Sequence, residues 1–162
     1  MSSVSPKPSS LSITKLFSDD FLGSIVGFAC HDGELAVCGG RGSGYMLTGD
    51  IHALRLHLSV ADKTLYDVYI TDDAIWLVGE EGYVARSTDG VQTWEVLDTA
   101  SKRSRLFCVA EDAQGRVWVG GENGALGYFE KGKKTIRKVQ GLNNTIGGMT
   151  PSSLGLLICS SG

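Results

Sequence analysis

Three adjacent carboxylate pairs, Asp72-Asp73, Glu80-Glu81 and Glu111-Asp112, are the first residues in this sequence that could do chemistry. A general acid and general base would have to converge on one bond. All three pairs fall in or beside runs of turn-forming residues, so they read as solvated turn residues. Metal chemistry finds no footing either. The cysteines Cys30, Cys38, Cys108 and Cys159 show no CxxC spacing, and His31, His52 and His57 form neither HxxxH nor HExxH. Free buried thiols are the reading for the four cysteines, since Cys behaves as a small core hydrophobe. The stretch Gly39-Gly40-Arg41-Gly42-Ser43-Gly44 invites a phosphate cradle. It lacks the GK[ST] ending of a P-loop and no helix follows to hold the anion, which leaves a long hairpin turn. No catalytic, cofactor or metal residue is therefore assigned.

The elements around these residues carry more information. The chain has 162 residues, 42% hydrophobic and 20% charged, with 22 glycines against 3 prolines. Many tight turns in a globular, all-β chain fit that profile. A net charge of -3 and a pI near 5.6 offer no broad attraction to nucleic acid or an anionic membrane surface. The segment 1–10 is rich in Ser and Pro with one lysine, and is expected to be a flexible tail without the pattern of a secretory signal. No apolar run reaches bilayer length, so no membrane insertion is expected and a cytoplasmic location is the default.

Self-similarity organises the rest, from about residue 11 to 162. The strands Leu35-Ala36-Val37-Cys38-Gly39, Ile75-Trp76-Leu77-Val78-Gly79 and Arg116-Val117-Trp118-Val119-Gly120 recur with their last glycines 40 and 41 positions apart. A fourth copy, Leu156-Leu157-Ile158-Cys159-Ser160, follows. Each is preceded by another strand: 25–29, 65–69, 106–110 and 146–149. Each of the first three is followed by a third strand (44–47, 83–87, 125–129) and a fourth (53–57, 93–97, 135–139). One repeat of roughly 40 residues is thus a four-stranded antiparallel meander, the blade of a β-propeller. Blades are expected at 25–57, 65–97 and 106–139, with an incomplete one at 146–162. A β-sandwich would lack the fixed period. Two periods back from 93–97, one beyond the fourth strand at 53–57, lies a lone outermost strand at Ile13-Thr14-Lys15-Leu16-Phe17. Either the chain is a segment of a longer propeller, or further copies or another partner complete the ring; unpaired sheet edges promote such association.

The most specific local signal is Ser87-Thr88-Asp89-Gly90-Val91-Gln92-Thr93-Trp94. It resembles the Asp-box (BNR) pattern Ser-x-Asp-x-Gly-x-Thr-Trp, departing where Val91 replaces a glycine. Asp89 can accept backbone N–H bonds within the hairpin between third and fourth strands, while Trp94 packs between blades. Val91 predicts a slightly altered turn, because a β-branched residue resists positive φ. Together with Trp76-Leu77-Val78-Gly79 and Gly82, the blade is similar to those of Asp-box propellers, including the photosystem II assembly and stability factors and the sialidases. In those families the box, here Ser87, Asp89, Gly90, Thr93 and Trp94, is a structural turn away from the ligand face, so the resemblance implies fold more than function. A sialidase would further need an arginine cluster, an activated tyrosine and an acid at the centre. Arg41, Arg55, Arg86, Arg103, Arg105, Arg116 and Arg137 are scattered without that family's catalytic motifs.

Turns between second and third strands emerge on the same propeller face as the connections between blades, and function on repeat scaffolds tends to sit on such loops. This groups Arg41, Ser43, Glu80, Glu81, Glu122 and Asn123 with Lys102, Arg103, Arg105, Asn143 and Asn144 as a mixed-charge face for a protein partner. A non-enzymatic protein-interaction module, an assembly factor or an inhibitor or immunity-type binder, is the leading expectation. The alternatives are a carbohydrate-binding or sialidase-like propeller, which would use Trp76 or Trp118, and a self-assembling structural module.

Overall fold

The computed structural model describes residues 24–40, 44–50, 55–97, 99, 103–130, 133, 136–153 and 155–161. Three sheets of four strands and one of two follow one another along the chain, each a simple antiparallel meander. The first contains β1 (Ile25–His31), β2 (Glu34–Gly40), β3 (Gly44–Asp50) and β4 (Arg55–Ala61). The second contains β5 (Leu65–Ile70), β6 (Ile75–Gly79), β7 (Val84–Ser87) and β8 (Glu95–Leu97). The third contains β9 (Leu106–Glu111), β10 (Val117–Gly121), β11 (Leu126–Phe129) and β12 (Arg137–Lys138). The last pairs β13 (Ile146–Ser152) with β14 (Gly155–Ser160). No α-helix occurs among the described residues.

The sheets pack face to face, which is the propeller architecture that the repeat predicts. Ala36, Cys38 and Met46 of the first sheet meet Leu65, Val68 and Leu77 of the second. Trp76, Val78 and Val84 on the second sheet's other face meet Val109, Val119 and Phe129 of the third. A smaller cluster of Cys108, Leu126 and Ile146 joins the third to the fourth. A sheet covered on both faces carries apolar residues without alternation, which is why Ile75 to Val78 is continuous.

Two details differ from the sequence reading. In the first blade β3 runs to Asp50 and β4 reaches Ala61, because Gly44 pairs with Ala61 across a bulge and buries Ala61 in the core. The counterpart of Gly79 is Gly121 and not Gly120: Leu65 pairs with Gly79 and Leu106 with Gly121. The cause is a hairpin loop at 112–116 one residue longer than that at 71–74. The expected strand at 13–17, the tail 1–10 and the fourth-strand starts Ala53 and Thr135 lie outside the described residues.

Each inner hairpin carries a bulge at one position, after Ile25, Leu65, Leu106 and Ile146. The extra residues include Tyr66 and Phe107. A bulge re-aims its side chain out of the alternating pattern, and here it swings both rings toward the face where blades connect.

Candidate functional site

Two turns define that face, and both follow one design. Gly79 and Gly121 lead into single 3₁₀ turns at Glu80–Gly82 and Glu122–Gly124, closed by Tyr83 N–H to the Glu80 carbonyl and Ala125 N–H to the Glu122 carbonyl. Glu81 and Asn123 both take φ of 55°, a left-handed conformation that suits Asn better than Glu. Gly82 and Gly124 continue it at 69° and 68°. A side chain at Gly124 would collide with the Leu142 carbonyl, so glycine is required there on both counts.

Glu80 and Glu122 are committed to the scaffold. The Glu80 amide donates to the Thr64 carbonyl at 3.0 Å, and the Thr64 amide donates back to Glu80 Oε2 at 3.3 Å. Tyr66 donates its hydroxyl to Glu80 Oε1 at 3.3 Å. The Thr64 amide, above all, holds the Glu80 carboxyl below its ordinary range. Glu122 repeats the arrangement one blade on: its amide donates to the Arg105 carbonyl at 2.9 Å, and the Arg105 amide donates to its Oε2 at 3.0 Å. The Arg105 guanidinium lies 3.5 Å from Glu122 Oε1. Each glutamate thereby fastens the turn to the strand entry of its own blade, and Gly82 N–H fastens it to the Ser104 carbonyl of the next connection.

Around these clamps stand exposed and half-buried groups. Lys63 donates to Glu81 Oε2 at 2.6 Å, a bond that raises the Lys63 pKa. Arg103 and Asn123 are exposed beside them. Tyr66 and Phe107 make an edge-to-face contact with centroids 5.2 Å apart, bridging the second and third blades. Of the residues expected on this face, Glu80, Glu81, Glu122, Asn123, Arg103 and Arg105 are placed there by the turns and connections just described. Arg41, Ser43 and Lys102 lie outside the described residues. Tyr66, Phe107 and Lys63 were not among the expected residues. The signal for the two aromatics was a break in alternation, with Leu65 and Val68 apolar three apart.

Deeper toward the ring centre, Asp67 accepts the Val68 amide on Oδ1 at 2.9 Å and the Val109 amide of the third blade on Oδ2 at 3.0 Å. Burial pushes its pKa up to about 6, against the pull of those two amides. Burial likewise raises Cys38 and Cys108 to about 12, so neither is a nucleophile. Cys30 and Cys159 are exposed, contrary to the buried reading for all four.

The opposite face holds the Asp89 turn. Asp89 Oδ1 accepts the Ser87 hydroxyl and the Gln92 and Thr93 amides, and Oδ2 accepts the Thr93 hydroxyl at 2.6 Å. The Thr93 hydroxyl foremost, with the other donors, draws the Asp89 pKa down to about 2. Val91 adopts φ of 73°, the positive φ that a β-branched residue resists. Its buried side chain packs into the cluster between the first two sheets, offsetting a left-handed cost of about 1–2 kcal/mol. Trp94 packs against the same cluster.

Asp112 is also not a solvated turn residue. It is buried, accepting the Gln114 and Arg116 amides on one oxygen and Arg116 Nε and Trp118 Nε1 on the other. Arg86 pairs with Glu95, Arg105 with Glu122 and Arg116 with Asp112. These arginines therefore do not converge as a carboxylate-binding cluster. Trp76 is buried against Phe129, and Trp118 makes a tilted contact with Tyr128 while the Arg116 guanidinium lies over both of those rings. Trp76, at least, offers no open platform for a sugar. No group of three or more His, Cys, Asp or Glu residues among the described ones could hold a metal, and no described helix is long and apolar enough to cross a membrane.

No family model matches this sequence, and no curated protein does. Solved structures do match in fold. YCF48 bound to D1 peptide superposes with a TM-score of 0.69 at 19% identity, over 82% of this chain and 46% of that one. The β-propeller domain of Cps50 (Swd1) from Myceliophteria thermophila gives 0.65 at 13% identity, over 84% and 48%. The computationally designed Ika4 protein gives 0.68 at 14% identity, over 93% of this chain and all of that one. The chain is a β-propeller resembling YCF48, and it spans about half the length of the two natural propeller chains.

Proposed function

We propose that this chain is a non-enzymatic protein-interaction module whose ligand is an extended peptide segment of a protein partner. The observation that carries the reading is the pair of glutamate-clamped turns. They hold Glu81 and Asn123 outward on a rigid frame beside Lys63, Arg103, Arg105 and the Tyr66–Phe107 aromatic pair. Preorganised loops of mixed charge next to aromatic rings suit peptide recognition, because little ordering entropy is lost on binding. The peptide held by YCF48, a propeller of similar fold, supports the choice of ligand class. Assembly-factor and inhibitor or immunity-type roles are the settings in which such a module works.

The test is selection from a displayed peptide library, followed by calorimetric Kd measurement on the selected sequences. Glu81→Ala, Arg103→Ala and Asn123→Ala should together weaken binding by at least roughly tenfold, about 1.4 kcal/mol. Asp72→Ala and Thr88→Ala on the far face should leave it unchanged. Selected peptides that respond only to the far-face changes, or no selection at all, would overturn the reading.

A further inference from the structure

The turn face holds two cavities in repeat-equivalent places, with Thr99 lining both, and they differ in charge. The one in the third blade has a volume of about 320 Å³ and is neutral. Ser104, Asn123, Ala125 and Val139 line it, and no charged residue does among the described ones. The one in the second blade, about 440 Å³, has Lys63, Glu81, Tyr83 and Leu97 at the equivalent positions, and Val96 beside them. Both fall in the size range of small binding pockets. The turn itself does not call for the charge. Asn123 makes the same turn at the same φ of 55°, while the Glu81 side chain is 65% exposed, so no packing offsets its left-handed backbone. Val96, though apolar, is 62% exposed on the cavity wall.

The mouth of the second-blade cavity is negative. The Glu81 bond foremost, then the charges of Asp62 and Glu80, raise the Lys63 pKa, and burial followed by Asp62 raises that of Tyr83. Glu80 is held by Thr64 and Tyr66, which leaves the exposed carboxylates Glu81 and Asp62 against Lys63. We propose, on the premise of the peptide-binding reading above, that this cavity takes one lysine or arginine side chain of the partner segment, its cation on Glu81 in place of Lys63. Its methylene stem would lie on Val96, Leu97 and Tyr83, since long basic side chains cover apolar surface while their heads stay with charge and water. Displacing Lys63 costs little, because an exposed ion pair contributes little to stability. An acidic side chain would meet Glu81 and Asp62, and an apolar one would leave the cavity's charge unanswered.

The parent and Glu81→Asn should be used separately to select from one random peptide library. Asn123 shows that Asn fits this turn, so the variant should keep the parent's thermal midpoint or exceed it. Peptides selected by the parent should share a lysine or arginine at one position, and those selected by Glu81→Asn should not. Replacing that residue by norleucine should weaken calorimetric binding to the parent by about tenfold or more and leave binding to Glu81→Asn unchanged, the signature of direct coupling. Lys63→Met removes the internal competitor for Glu81 and should tighten the parent's peptides by about two- to fivefold. Parent-selected peptides without a shared basic residue, or with one that does not couple to Glu81, would overturn this pocket and leave the peptide-binding module standing. Failure to select any peptide would overturn both.

Discussion

Replacing Asp67 by Asn should change how stability depends on pH, and the sign follows from the site. The Asp67 carboxyl has a folded pKa of about 6 against an ordinary 3.8, so folding favours its protonated form. Its penalty on the folded state is absent well below pH 3.8 and grows as pH rises through 3.8 to 6. It is complete above that. At about 1.36 kcal/mol per pKa unit, the full penalty is about 3 kcal/mol. Asn removes the ionisation, but its amide nitrogen cannot accept, so one of the Val68 and Val109 amides loses its acceptor at a cost of about 1–3 kcal/mol. About 1 kcal/mol of that penalty is already present at pH 4.5, so Asp67→Asn should be less stable than the parent by about 0–2 kcal/mol there and equal or more stable at pH 7.5. Urea unfolding of both proteins across that range, with ΔG from linear extrapolation, makes the comparison, and every other titrating group cancels in the difference. A difference that stays flat between pH 4.5 and 7.5 would refute the buried, raised carboxyl.

The two repeat-equivalent tryptophans should respond differently to Phe: Trp118→Phe abolishes the bond to Asp112 and should cost about 1–3 kcal/mol. Trp76 Nε1, by contrast, is buried with no partner among the described residues, so Trp76→Phe should cost less by urea unfolding despite the deeper site. Asp89→Ala should lower the thermal midpoint at neutral pH. Because the Asp89 pKa is lowered to about 2, the gap to the parent should persist from pH 7 to 4 and shrink as pH falls from 3.8 through 2. Glu80→Ala should speed hydrogen exchange at the Thr64 amide by roughly tenfold, while the equivalent Arg105 amide in the next blade stays protected.

The sequence by itself determined the repeat, the meander within each repeat and the face on which the turns fall. Those features depend on local patterns: apolar strands, glycines where φ is positive, and a period that survives divergence. It also pointed to Asp89, because a turn is built from neighbours in the chain. Only the tertiary structure decided which polar residues are exposed. Glu80 and Glu81 are adjacent and alike in sequence, yet Glu80 is bound to Thr64 and Tyr66 while Glu81 faces outward. Asp112 looked like any loop carboxylate until Trp118 and Arg116 closed over it. Asp67 sat in a strand with no mark of its role, which arises from an amide 42 residues away in another blade. Contacts between sheets join positions whose separation no local pattern encodes, and burial, not residue type, sets whether a charge serves the scaffold or the surface.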